Sequence, residues 1–218
     1  MPMLSFEDAG TQQNGYLALP PSGRGRGVLV LHPWWGLTDF FKRVTDRVAA
    51  QGYVAFAPDL MQGQTATTIE AAHQQVETSE GPATYATAAA ALNFLRHHPA
   101  VEPGPLAAIG FSFGASYAVL LDMKNPGALD RIVLFYGGSD MDLDATRARI
   151  QGHFAENDTY EPLEMVKKVN QPNFEVNIYP GTAHWFVEEN RPNEYNAEAA
   201  ALAWQRAFNF LGQPTAKD

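Results

Sequence analysis

The 218-residue chain contains no cysteine. That absence excludes disulfides, thiolate nucleophiles and zinc–thiolate centres. No uninterrupted apolar stretch reaches the roughly 18 residues of a membrane-crossing helix, so no membrane association is expected. The opening segment, MPMLSFEDAG, has no basic stretch running into an apolar one. No secretory leader is therefore expected, and a cytoplasmic location is. Basic residues are scarce: 15 Lys and Arg stand against 24 Asp and Glu, for a net charge of −9. Nucleic-acid binding needs clustered cations and is disfavoured on that count, whereas an acidic excess favours solubility. Repeats, low-complexity tracts and composition breaks are missing as well. A single domain over residues 1–218 is the expectation.

What is present is a chain of 45% hydrophobic residues, enough for a large core. Short apolar runs alternate with helical periods. RGVLVLH (26–32) reads as a buried strand. Phe40, Phe41, Val44 and Val48 then recur at helical spacing, with Thr38 placed to cap the start and Gly52 beyond the end. YVAFAP (53–58) is a second strand. Residues 61–83 are polar and weakly periodic, which predicts a loop with one exposed helix. Helix 84–98, strand 105–111 and helix 113–123 follow. The remainder reads as strands at 130–137, 150–155 and 174–180, with helices at 162–169 and 194–211. Repeated strand–helix units with buried strands predict an α/β fold: a mostly parallel central sheet with helices on both faces.

Within this pattern, Gly110-Phe111-Ser112-Phe113-Gly114 sits between a strand and a helix. That is the setting in which G-x-S-x-G forms a nucleophile elbow. Its glycines remove Cβ atoms where strand and helix crowd together. The backbone N–H of Phe113, next after the serine, is placed to face a developing oxyanion.

A serine needs a base, and the base needs an orienting carboxylate. In this architecture the chain order is Ser, then acid, then His, each partner following a later strand. Asp158 in GHFAENDTYEP and His184 in YPGTAHWF satisfy that order. Glu156, two residues from Asp158, is the alternative acid. His153 falls within a strand and reads as a hydrogen-bonded core histidine. His97 and His98 are adjacent on a helix, about 100° apart, and make a poor metal pair. His73 reads as solvated. Asp59 precedes the serine, against the expected order. No metal or organic cofactor is called for. Aromatic residues adjoin every motif, and Trp34, Trp35, Phe111, Tyr136, Tyr160 and Trp185 are the candidate pocket residues. Of the neighbours Trp34 and Trp35, at least one is expected to line it.

LHPWWGL (31–37), GYVAFAPDL (52–60), the elbow, GHFAENDTYEP and YPGTAHWF together resemble the dienelactone hydrolase family of α/β-hydrolases in order and spacing. The resemblance runs to the closing helix. It implies a single α/β-hydrolase domain that cleaves carboxylic esters, lactones and thioesters through an acyl-enzyme, acting on a small molecule without a cofactor. It also implies Trp34 as the second oxyanion donor. Pro33, which has no N–H, stands where well-known members carry a glutamate that serves an elbow cysteine. With serine at the elbow the arrangement becomes Ser112–His184–Asp158. The family also binds a substrate carboxylate with arginines, one of them four residues after the catalytic histidine. Glu188 stands there, and residues 48–95 contain no Lys or Arg. Arg191 is the nearby substitute. A neutral substrate is the expectation, with Glu188 adding like-charge repulsion if it faces the pocket.

Two other classes of reading remain. The same three residues would serve a peptidase or a metal-free perhydrolase. A non-catalytic binding protein on this fold would be marked by loss of one of them, and none is lost. A dinucleotide-binding protein would carry G-x-G-x-x-G where HPWWGL stands.

Overall fold

The computed structural model describes residues 3–8, 11–79, 81–141, 143–169 and 171–213. Five apolar runs become the parallel strands β3 (Gly27–Leu31), β5 (Leu106–Phe111), β6 (Leu129–Phe135), β7 (Arg149–Ala155) and β8 (Phe174–Tyr179). With β4 (Val54–Pro58) and two N-terminal strands, β1 (Met3–Asp8) and β2 (Thr11–Ala18), they form an eight-stranded sheet among the described residues. The strand order is β1-β2-β4-β3-β5-β6-β7-β8. β1–β2 and β2–β4 pair antiparallel, and every other pair is parallel.

The antiparallel pair was not among the expected elements. Over Met3 to Glu7 of β1 only Phe6 is buried, against Phe56 and Phe94, so this edge strand lacks a legible apolar face. The central strands β3, β4 and β5 are buried at every position, as expected for a sheet covered on both sides.

Helices α1 (Asp39–Ala49) and α6 (Ala197–Leu211) cover one face through residues such as Phe41, Val48, Trp204 and Phe210. Helices α3 (Gly81–His97), α4 (Phe113–Lys124) and α5 (Leu163–Val166) cover the other through Leu92, Leu95, Ala118, Val119 and Val166. Thr38 takes the N-cap position of α1 without a side-chain capping bond, whereas Asn196 caps α6 by accepting from Ala199 N–H at 3.0 Å. The polar stretch does contain a helix, α2 (Ile69–Thr78), capped by Thr68. No described helix is long and apolar enough to cross a membrane.

Because β3, β5, β6, β7 and β8 run in one direction, the loops after them gather at one edge of the sheet. This is the usual place for a site in an open α/β sheet.

Candidate active site

Ser112 follows β5 directly, at φ +47° and ψ −116°. A non-glycine residue rarely adopts this conformation, and here it is over-determined by its neighbours. Ser112 N–H donates to Phe135 O at 2.9 Å, and Ser112 O accepts from Ala115 N–H at 2.8 Å. The two motif glycines act as the sequence implies. A Cβ at Gly114 would meet Leu31 O at 2.2 Å, and one at Gly110 would meet Ala115 Cα at 2.6 Å. Gly137, after β6, does the same job unannounced: its Cβ would meet Ser112 O at 2.5 Å.

Three loops close on this serine. His184 lies after β8 and Asp158 after β7, both buried. His184 Nε2 is 3.0 Å from Ser112 Oγ, and His184 Nδ1 is 2.7 Å from Asp158 Oδ2. The other carboxylate oxygen of Asp158 accepts from Tyr160 N–H at 2.8 Å and Glu161 N–H at 2.9 Å. Those two bonds fix the carboxylate so that Oδ2 faces the imidazole. An ionised Asp158 accepts only, so Nδ1 carries the ring proton and Nε2 is left to accept from the serine hydroxyl. Glu156, the alternative acid, is exposed and accepts from Gly181 N–H at 2.8 Å. It caps the turn after β8 and is not hydrogen-bonded to His184.

The N–H of Phe113 opens α4 and has no acceptor within the helix. Trp34 lies on the loop after β3. Among the described residues neither Phe113 N–H nor Trp34 N–H finds an acceptor in the protein. The Trp34 loop is braced from two sides. Gln75 of α2 donates to Trp34 O at 2.9 Å, and Ala66 N–H donates to Trp35 O at 3.0 Å. His32 fixes its start: Nδ1 is 2.7 Å from Pro33 O, and Nε2 accepts from Leu60 N–H at 3.0 Å. Burial pushes the His32 pKa down, so the ring stays neutral with its proton on Nδ1. Neither Gln75 nor His32 stood out in the sequence. The only signal available was a histidine at the end of a buried strand.

The aromatic candidates divide. Trp34 is half-buried, with His73, Tyr160 and Trp185 rings at 4.7, 5.5 and 6.2 Å. Tyr160 and Trp185 approach His184 to 4.9 and 4.8 Å. Tyr160 and Trp185 flank the imidazole and Trp34 packs against both; Trp185 is itself buried, so Trp34 and Tyr160 form the open side of this wall. Phe111 is corrected to core: it stacks on Phe135 at 4.9 Å and packs near Trp204, because its strand position faces α6. Trp35 is likewise buried, its ring covered by the Arg191 guanidinium at 4.3 Å. Tyr136 is fully buried and packs under His184 at 4.8 Å, a floor rather than a wall. Among the described residues four non-glycine positions have left-handed φ, and Ser112, Tyr136 and Trp185 are three of them. Strain is thus concentrated at these strand ends.

The other histidines and Asp59 sit where they were expected. His153 is buried between Tyr179 Oη at 2.7 Å and Gln151 Oε1 at 3.0 Å, its pKa pushed down to about 3 by burial. His73 is exposed, though it borders Trp34. His97 ends α3 and His98 lies just beyond it, and Asp59 accepts from Met61 and Gly63 N–H in a turn.

Glu188 requires a further correction. It presents no charge to a pocket, being fully buried, and its Oε1 accepts from Tyr136 Oη at 2.8 Å. Burial pushes its pKa up to about 8, against the opposing pull of the Tyr136 bond and of Arg191. Arg191 is itself held between Trp35 and Trp185, at 4.3 and 4.2 Å from the ring centroids, and pairs with Glu194 at 3.3 Å. A substrate preference resting on the charge of Glu188 therefore loses its basis. What the buried carboxyl does is couple stability to pH. Between about pH 4.5 and 8 the unfolded chain releases a proton that the folded protein keeps, so stability falls as pH rises through that window. Glu188→Gln removes this dependence. Over pH 5 to 9 the variant should gain up to about 4 kcal/mol relative to wild type in denaturant unfolding. Parallel pH profiles for the two proteins would contradict this.

Comparison with known proteins adds a lineage to this geometry. The dienelactone hydrolase family matches residues 13–215. The chain is 31% identical to "Protein usf" of Aquifex pyrophilus, covering 96% of each chain. It is 25% identical to the carboxymethylenebutenolidase of Pseudomonas putida, covering 84% of each. Among solved structures, a dienelactone hydrolase-like promiscuous phosphotriesterase, P91, from metagenomic libraries superposes with a TM-score of 0.79 at 25% identity, over 95% of both chains. The strand-end serine, its hydrogen-bonded partners and these matches agree: the chain belongs to the dienelactone hydrolase family of α/β-hydrolases.

Proposed function

We propose that the protein hydrolyses carboxylic esters, lactones among them, through a covalent acyl-enzyme on Ser112. The observation that carries this reading is the chain Ser112 Oγ–His184–Asp158, at 3.0 and 2.7 Å, on the strand-end edge of the sheet. Ser112 Oγ attacks the substrate carbonyl carbon while its proton passes to His184 Nε2. Asp158 holds the imidazole orientation and stabilises the imidazolium that forms. The N–H groups of Phe113 and Trp34 donate to the carbonyl oxygen and stabilise the charge that builds on it. Collapse breaks the ester C–O bond, and the leaving oxygen takes the proton from Nε2. Water then attacks the acyl carbon, gives a proton to Nε2, and the acid departs as Ser112 regains its hydrogen. In a lactone the leaving oxygen stays tethered to the acyl group until that second step. Every proton movement runs through one histidine nitrogen.

The wall formed by Trp34, Tyr160 and Trp185 borders the imidazole that protonates the leaving group. It supports small, apolar or aromatic alcohol portions. A panel of p-nitrophenyl esters, alkyl esters and lactones of varied ring size tests the reading. With the p-nitrophenyl esters, turnover should begin with a burst of p-nitrophenol that approaches one equivalent per enzyme. No hydrolysis of any ester or lactone, with cleavage of peptides instead, would overturn it.

A further inference from the structure

α4 leaves Ser112 with an unusual outer face. Its inner residues Ala115, Ala118 and Val119 are buried against the sheet. Its outer face carries Phe113, Ser116, Tyr117 and Leu120, all half-buried. These positions are spaced i, i+3, i+4 and i+7, which places them in one stripe about 10 Å long at 1.5 Å per residue. With Gly81 of α3 and Met141 they line a groove of about 370 Å³. That volume lies in the range of small-molecule sites, roughly 300–1,000 Å³. The Phe113 and Tyr117 rings are 4.9 Å apart, and apart from the Ser116 hydroxyl and the Tyr117 phenol the lining side chains carry no polar group.

The groove adjoins the candidate active site at one residue, since Phe113, which follows Ser112, is among its lining residues. Phe113 offers its N–H to the oxyanion and turns its side chain into the groove. The lining shares no residue with the Trp34–Tyr160–Trp185 wall. That wall borders His184, which must reach the leaving oxygen. The acyl group, by contrast, stays bonded to Ser112 through both half-reactions. We propose that the groove along α4 binds the acyl portion of the substrate, and that it favours linear, uncharged hydrocarbon chains. This assignment rests on the esterase reading and adds a substrate class to it.

The test is a p-nitrophenyl series from acetate to octanoate, run on wild type, Gly81→Leu and Leu120→Gln. Beyond its chain neighbours, a Cβ at Gly81 would meet nothing nearer than the Tyr117 hydroxyl, at 4.0 Å, so the leucine side chain enters open groove. Neither position belongs to the catalytic set. In wild type, kcat/KM for octanoate should exceed that for acetate by about tenfold, which needs only about two further methylenes buried at about fourfold each. Gly81→Leu should erase most of that preference, with the loss growing as the acyl chain lengthens. Leu120→Gln should lower it in the same direction. Unchanged octanoate-to-acetate ratios in both variants, with acetate turnover intact, would overturn the groove assignment and leave the esterase reading standing. Absence of turnover of every ester in the series by wild type would overturn the esterase reading itself, and the groove assignment with it. A wild-type dimer that Gly81→Leu dissociates without changing the ratio would make the groove a subunit contact and overturn its acyl role.

Discussion

Ser112→Ala should lower ester turnover by roughly 10⁵-fold or more while the protein stays folded. In a serine hydrolase, removing the nucleophile costs about as much as removing the whole set, because the three groups act as one unit. Residual hydrolysis would come from the Phe113 and Trp34 N–H groups and from binding alone. Two features isolate the chemical effect. The serine hydroxyl has His184 Nε2 as its described partner, so its loss leaves one nitrogen at a half-buried position open to water. Alanine also bears the same backbone strain at φ +47° as serine does. Unfolding midpoints should therefore agree closely, and the loss should appear in kcat. A Ser112→Ala protein that keeps more than about a hundredth of wild-type turnover would mean that another group attacks.

Asp158→Asn should lower turnover by roughly 10⁴-fold, the precedent for this change in a serine protease. The fold should survive, because an amide oxygen can still accept from Tyr160 and Glu161 N–H. That arrangement turns the amide nitrogen toward His184 Nδ1. The amide then donates to the ring, Nδ1 becomes the acceptor, and the proton moves to Nε2. A protonated Nε2 cannot take the serine proton. Glu156→Gln should cost less than about tenfold, since Glu156 caps Gly181 N–H and is solvent-exposed. Steady-state kinetics on the two variants decides between them. The reverse ranking would move the acid to Glu156 and break the account of the β7 loop.

Much of this arrangement was legible because the chemistry is local. Gly110 and Gly114 flank the serine at the spacing the elbow sterically demands, and the central strands are apolar enough to be read without alternation. The order Ser112, Asp158, His184 follows from strand ends in a parallel sheet. The misses share a different cause. Among the described side chains of β1 only Phe6 is buried, and the strand pairs at an edge, so no pattern announces it. Phe111 adjoins the serine in sequence, yet a strand covered on both faces gives no sign of which way each side chain points. Trp35 and Trp34 differ only in the turn of one loop. The Gln75 bond to Trp34 O spans 41 residues and the His32 bond to Leu60 N–H spans 28, so neither has a local signature. Glu188 looked like a pocket charge because acidic residues are usually exposed. Its burial under Tyr136 depends on packing that no single segment encodes.

Treatment with a fluorophosphonate, followed by intact mass and peptide mapping, tests the central claim most directly. A single phosphonyl adduct should form on the peptide containing Ser112, depend on His184, and be absent from Ser112→Ala. An adduct on any other residue, or labelling that survives Ser112→Ala undiminished, would contradict the account.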